Sequence, residues 1–185
     1  MNLAYKSEKD LLDSVEASAA NFEKKYHGCA QCVLGALMEA FPDLRSLDVF
    51  KAATGLGGGV GLSVAGSCGG LTGGVMLLSY LYGRDLDNID DPEGIRFIGY
   101  RLANALHECF VEEYGTSTCG EIHKQVMGRT YQLNDPADWD AFIQAGGHED
   151  KCPAVVGKAA RWAAEIIVAE ETAQGRKPHF LDEEA

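Results

Sequence analysis

The chain has 185 residues, 46% hydrophobic and 24% charged, with a formal net charge of -12 and a sequence pI of about 4.7. That length suits a single domain with its own core, and the acidity argues against nucleic acid or anionic membrane surfaces as partners, since both would repel it. Met1-Asn2-Leu3-Ala4-Tyr5-Lys6 holds no apolar signal-peptide core, and the longest apolar run, Val75 to Leu78 extended to Tyr82, is too short for a bilayer. A cytoplasmic protein is expected. In a reducing compartment, six cysteines point to metal binding or redox work before a disulfide framework. Asp182, Glu183 and Glu184 read as a solvated acidic end.

Helical signals dominate from the start. Ser7 with Asp10 reads as a cap, followed by a one-sided stripe of Leu11, Leu12, Val15, Ala19 and Phe22. A second helix should run from Gly28 to Phe41, with Ala30, Val33, Leu34 and Leu37 inward and Pro42 ending it. Ser46 can cap a short third helix through Leu47, Phe50 and Ala53. A glycine-rich stretch, Gly55 to Gly74, then forms a central loop and leads into a helix from Gly69 or Gly70 to Tyr82, stopped by Gly83. Asp91-Pro92 reads as the next helix start, with proline at the first helical position. That helix should reach Tyr114 with Ile95, Ile98, Leu102, Ala105 and Cys109 on its apolar stripe, closed by Gly115. Thr118 with Glu121 resembles a capping box. Asp135-Pro136 starts a short helix through Trp139, Phe142 and Ile143, ended by Gly146-Gly147. The last helix opens at Cys152-Pro153 and runs through Val156, Ala160, Ala163 and Ile167 toward Gly175. No alternating strand pattern, repeat or linker interrupts this order. The expected fold is an all-α, single-domain bundle of seven or eight helices across residues 1–185.

Four cysteines fall at expected helix starts: Cys29, Cys68, Cys119 and Cys152. Free backbone N–H groups and the helix dipole favour negative charge there, so a thiolate should have a lowered pKa and serve as nucleophile or ligand. Such N–H groups would equally stabilise an anionic iron–sulfur centre. Cys32 forms a Cys29-Ala30-Gln31-Cys32 pair, which makes Cys29 and Cys32 candidate catalytic thiols; Cys109 lies mid-helix and reads as core. With a single CxxC, zinc-ribbon spacing fails. His27, His123 and His148 each lie near a cysteine and could tune or share in ligation. Gly57-Gly58-Gly59-Val60-Gly61 matches no nucleotide-binding motif; it allows close approach of a bulky inorganic group or of a neighbouring helix.

Cys68-Gly69-Gly70-Leu71-Thr72-Gly73 resembles the C-G-A-x-x-G signature of the redox-active proteins named for their C_GCAxxG_C_C cysteine pattern, with Gly70 where that family usually has alanine. Gly28-Cys29-Ala30-Gln31 with Val33-Leu34 resembles the family's first cysteine segment. Tyr114-Gly115-Thr116-Ser117-Thr118-Cys119 resembles the third, and Lys151-Cys152 with Val155-Val156 and Ala159-Ala160 the fourth. The likeness covers about residues 20–170, in family order. It implies redox activity and selects the same four cysteines; Cys32 and Cys109 are extra. A related domain in the split-Soret cytochromes implies iron–sulfur capacity. Any haem would be non-covalent, because no Cys-x-x-Cys-His is present.

Three functions remain open at this level. In the first, Cys29, Cys68, Cys119 and Cys152 bind an iron–sulfur or other metal cluster for electron transfer to an unidentified redox partner. The second is a metal-free thiol–disulfide oxidoreductase or sensor. The third is a structural metal site or interaction module. Assembly into a homo-oligomer is compatible with each.

Overall fold

The computed structural model describes residues 5–176. Met1–Ala4 and the acidic Asp182, Glu183 and Glu184 lie outside the described residues. Among the described residues the architecture is all-α, with eight α-helices: α1 (Glu8–Tyr26), α2 (Cys29–Ala40), α3 (Leu47–Ala52), α4 (Gly69–Tyr82), α5 (Ile95–Tyr114), α6 (Cys119–Met127), α7 (Pro136–Gln144) and α8 (Cys152–Ala173). No strand occurs among the described residues; two segments touch through one isolated bridge, Ser67 to Thr118. No described helix is long and apolar enough to cross a membrane.

Side-chain caps set three of the helix starts. Ser7 Oγ accepts from the Asp10 amide, Ser46 Oγ from that of Val49, and Asp135 from those of Ala137 and Asp138. Each satisfies an amide the helix itself leaves unpaired. The stripe Leu11, Leu12, Val15 and Ala19 is buried, and α1 lies along α8 and α2.

Helix α4 stands at the centre, between α2, α5 and α8. Two glycine rows make that possible. A Cβ on Gly73 would lie 2.4 Å from the Ala30 carbonyl oxygen of α2, and one on Gly74 would lie 2.5 Å from Leu106 of α5. On the face toward α8, Gly70 meets Ala159 and Gly74 meets Ala163. Small residues spaced one helical turn apart thus let three neighbours approach one helix. The sequence left open whether the glycines served a bound group or a helix crossing. Within α4, Gly70, Gly73 and Gly74 serve crossings and Gly69 leaves room for the Cys29 sulfur, while Gly57 and Gly58 face the cavity described below.

Three expectations are corrected. Helix α5 begins at Ile95, after Gly94, rather than at Pro92. Asp91 is itself left-handed, φ 49°, yet its carboxylate accepts from the amides of Ile95 and Arg96 and pairs with the Arg96 guanidinium. It therefore caps the helix from four residues upstream of the observed start. The buried row of α5 is Leu102, Leu106, Phe110 and Tyr114, one position from the stripe read through Ala105 and Cys109. Cys109 is consequently half-buried, with Glu165, Glu112 and Glu108 nearby, and not core. Thr118 stands at the α6 cap position without a side-chain cap bond; its amide instead donates to Thr116 Oγ1.

Candidate functional site

Each of the four cysteines begins or immediately precedes a helix, and each is delivered by a different local device. Helix α1 ends where His27 turns left-handed, φ 61°, followed by Gly28 at φ 87°. The His27 amide donates to the Glu23 carbonyl, 3.1 Å, and Cys29 opens α2 directly after the reversal. Cys68 and Cys119 are positioned together. The Cys68 amide donates to the Ser117 carbonyl at 2.8 Å, the Cys119 amide to that of Gly66 at 2.9 Å, and the Gly120 amide to that of Val64 at 2.8 Å. Cys152 follows one wide turn, Gly147–Lys151, in which the amides of Glu149, Asp150 and Lys151 all donate to the Gly146 carbonyl. Such π-type turns concentrate at functional sites.

The segment between α3 and α4 closes the same region under backbone strain. Val60, Leu62 and Val64 are left-handed at φ 68°, 63° and 55°. Each such residue costs on the order of 1–3 kcal/mol, and for the two β-branched valines the conformation is a genuine outlier. Gly59, φ 71°, is required as glycine, since a Cβ there would fall 2.9 Å from both Cys119 Cβ and the Val64 Cα.

These devices converge on one cavity of about 110 Å³, walled by Cys29, Cys68, Cys119 and Cys152 together with Glu23, His27, His123 and His148. It lies at the seam of two apolar clusters. Cys68 belongs to the main core, with Cys29 packed against it; Cys119 belongs to a smaller cluster with Tyr131, Leu133 and Phe142, against which Cys152 packs. The four sequence-selected cysteines are therefore brought together, as are the three histidines. Cys32 is not on the cavity wall; it is buried, its thiol donating to the His27 carbonyl at 3.1 Å. Cys109 lies elsewhere on α5. All six are free thiols.

The helix-start reading of thiol acidity is reversed. Burial raises all four, pushing Cys68 and Cys119 up to about 12 and Cys29 and Cys152 well above the ordinary thiol range. Neighbouring thiols and Glu23 add to the rise. Backbone N–H groups of Gly58 and Ala30 at Cys29, and of Gly70 and Leu71 at Cys68, pull the other way and do not compensate. Metal-free protein should therefore react slowly with iodoacetamide at pH 8 and faster only as pH climbs toward 12. Below about pH 8.5 the thiols are neutral in folded and unfolded chains alike; above it the unfolded chain ionises first, so stability falls as pH rises. Fast alkylation of any of the four at pH 7 contradicts this.

Glu23 escaped the sequence reading, although its signal was present: it continues the Leu11, Val15, Ala19 row at four-residue spacing, a charge on a buried stripe. It is 2% exposed. Its Oε1 lies 3.3 Å from His148 Nδ1, without hydrogen-bond alignment, and its Oε2 has no partner. The His148 ring lies against His27, centroids 3.9 Å apart and planes tilted by 39°, and meets Phe142 edge-on at 5.0 Å. His123 Nε2 lies 3.7 Å from Cys119 Sγ; burial and the nearby His148 lower its pKa to about 4, keeping it neutral. No lysine or arginine lines the cavity. Among the described residues, no three His, Cys, Asp or Glu side chains converge closely enough to hold a single metal ion.

Among known families, the model described as "Putative redox-active protein (C_GCAxxG_C_C)" matches residues 7–166, a span that contains all four cavity cysteines. No curated protein and no solved structure matches the chain.

Proposed function

The chain belongs to the putative redox-active C_GCAxxG_C_C family, and from that premise we propose that Cys29, Cys68, Cys119 and Cys152 hold an iron–sulfur cluster through which the protein transfers electrons. The observation that carries this reading is the charge balance of the cavity. Four thiols and a buried carboxylate share it with no lysine or arginine on its wall. Deprotonating those thiols there requires a cation, and a metal centre supplies one. Without metal, thiols held this far above the neutral range are poor nucleophiles, which argues against a metal-free dithiol.

The donor set fits a polynuclear group better than a single ion. Its four sulfurs surround a cavity without three ligands closing on one point. The amides of Gly58, Ala30, Gly70 and Leu71 that reach Cys29 and Cys68 are suited to stabilising metal-bound sulfur. When bound, the cluster supplies one-electron chemistry. The chain's part is to hold it by thiolates from four helix starts. Leu62, Leu133, Phe142, Val155 and Val156 line its apolar walls and limit water. Anaerobic incubation with ferrous iron and sulfide should give a coloured protein containing both. Failure to take up either defeats the reading.

A further inference from the structure

Four buried side-chain polar atoms in the described structure lack any hydrogen-bond partner: Glu23 Oε2, His123 Nδ1, and both ring nitrogens of His148. All belong to residues on the wall of the cysteine cavity. A buried carboxylate or imidazole atom without a hydrogen-bond partner is unfavourable, so their concentration there points to what the cavity receives.

The cation that Glu23 needs does not come from its own helix. Lys24 pairs with Glu149, and Lys25 sits over the Tyr26 ring. Besides His148, the groups whose ionisation Glu23 opposes are thiols, Cys32 and the four cavity cysteines, and none of them supplies a cation. His148 is held by ring packing rather than by hydrogen bonds, between His27, Phe142 and Trp139, on the turn that also delivers Cys152. Its Nδ1 lies 3.3 Å from Glu23 Oε1 outside hydrogen-bond alignment, and its Nε2 has no partner. His123 differs, since its Nε2 is occupied with Cys119.

We propose that Glu23 and His148 are a non-sulfur donor pair, binding through carboxylate oxygen and imidazole nitrogen a metal atom of the group that the four cysteines hold. This rests on the cluster reading above and extends it: the cavity has a sulfur face and an oxygen/nitrogen face, so its metal atoms are not equivalent. Iron accepts all three donor types. Two side chains do not make a site alone, consistent with the lack of a convergent protein triad; the remaining ligands come from the bound group.

The test compares full-length wild type, Glu23→Gln, His148→Gln and Cys109→Ser, each loaded anaerobically with ferrous iron and sulfide. Iron and sulfide content, the Mössbauer spectrum and the rate of iron loss to a chelator are measured. Wild type and Cys109→Ser should show an iron component with oxygen and nitrogen ligation. Both donor variants should lose that component and hold its iron about 10- to 100-fold more weakly. Either donor variant suffices if the other fails to fold. Loaded variants indistinguishable from loaded wild type overturn the donor pair alone. Wild type that takes up no iron overturns the cluster reading and the pair with it.

Discussion

Gly73→Ala should destabilise the fold by about 2 kcal/mol, lowering the urea midpoint without changing the slope of the transition. A Cβ at position 73 would stand 2.4 Å from the Ala30 carbonyl oxygen and 2.9 Å from its Cα. Those are backbone atoms of α2 and cannot rotate aside, so the helices must separate. Better helix propensity for alanine returns roughly 1 kcal/mol, less than the cost of prising apart a central crossing. Gly55→Ala is the control, since a Cβ there meets nothing within 4 Å. An unchanged midpoint in Gly73→Ala would show that α4 does not depend on close contact with α2.

Gly69→Ala should do the opposite: spare the fold and disable the site. Its Cβ would lie 2.1 Å from Cys29 Sγ. The sulfur ends a one-torsion side chain and can swing away, and the Ala30 backbone nitrogen at 3.1 Å needs to give by only a few tenths of an ångström, so the helices shift little while the ligand leaves its position. Circular dichroism and thermal unfolding of the metal-free protein should change little, whereas metal retention should fall by at least about tenfold. Gly70→Ala, whose Cβ would meet Ala159 Cβ at 3.1 Å and stay 3.7 Å from Cys68 Sγ, should load as wild type does. Normal loading of Gly69→Ala would mean that Cys29 is dispensable.

The contrast between adjacent glycines shows what the sequence could and could not convey. Caps at Ser7, Ser46 and Asp135 were legible because their chemistry is local, one side chain answering an amide two or three residues on. Asp91 misled because it caps from four residues upstream through a left-handed turn, which Asp91-Pro92 does not advertise. The cysteines were legible as helix starts, but the meeting of Cys68 with Cys119 depends on the Gly66–Ser67 and Ser117–Cys119 pairing, a long-range contact without a periodic signature. The sign of the thiol shifts was misread for the same reason: the helix dipole is visible in one segment, whereas burial is created by segments far apart in sequence. The family likeness narrowed the cysteines to four of six; it carried no sign of Glu23.

Everything proposed for this cavity turns on whether it holds iron and inorganic sulfide. The decisive measurement is the content of both per chain in protein purified and reconstituted without oxygen, with Cys68→Ser handled in parallel. Iron and acid-labile sulfide together in the wild type, both sharply reduced in the variant, are the predicted result. Wild-type protein that retains neither, with all four thiols still free and folded helices intact, would contradict the account.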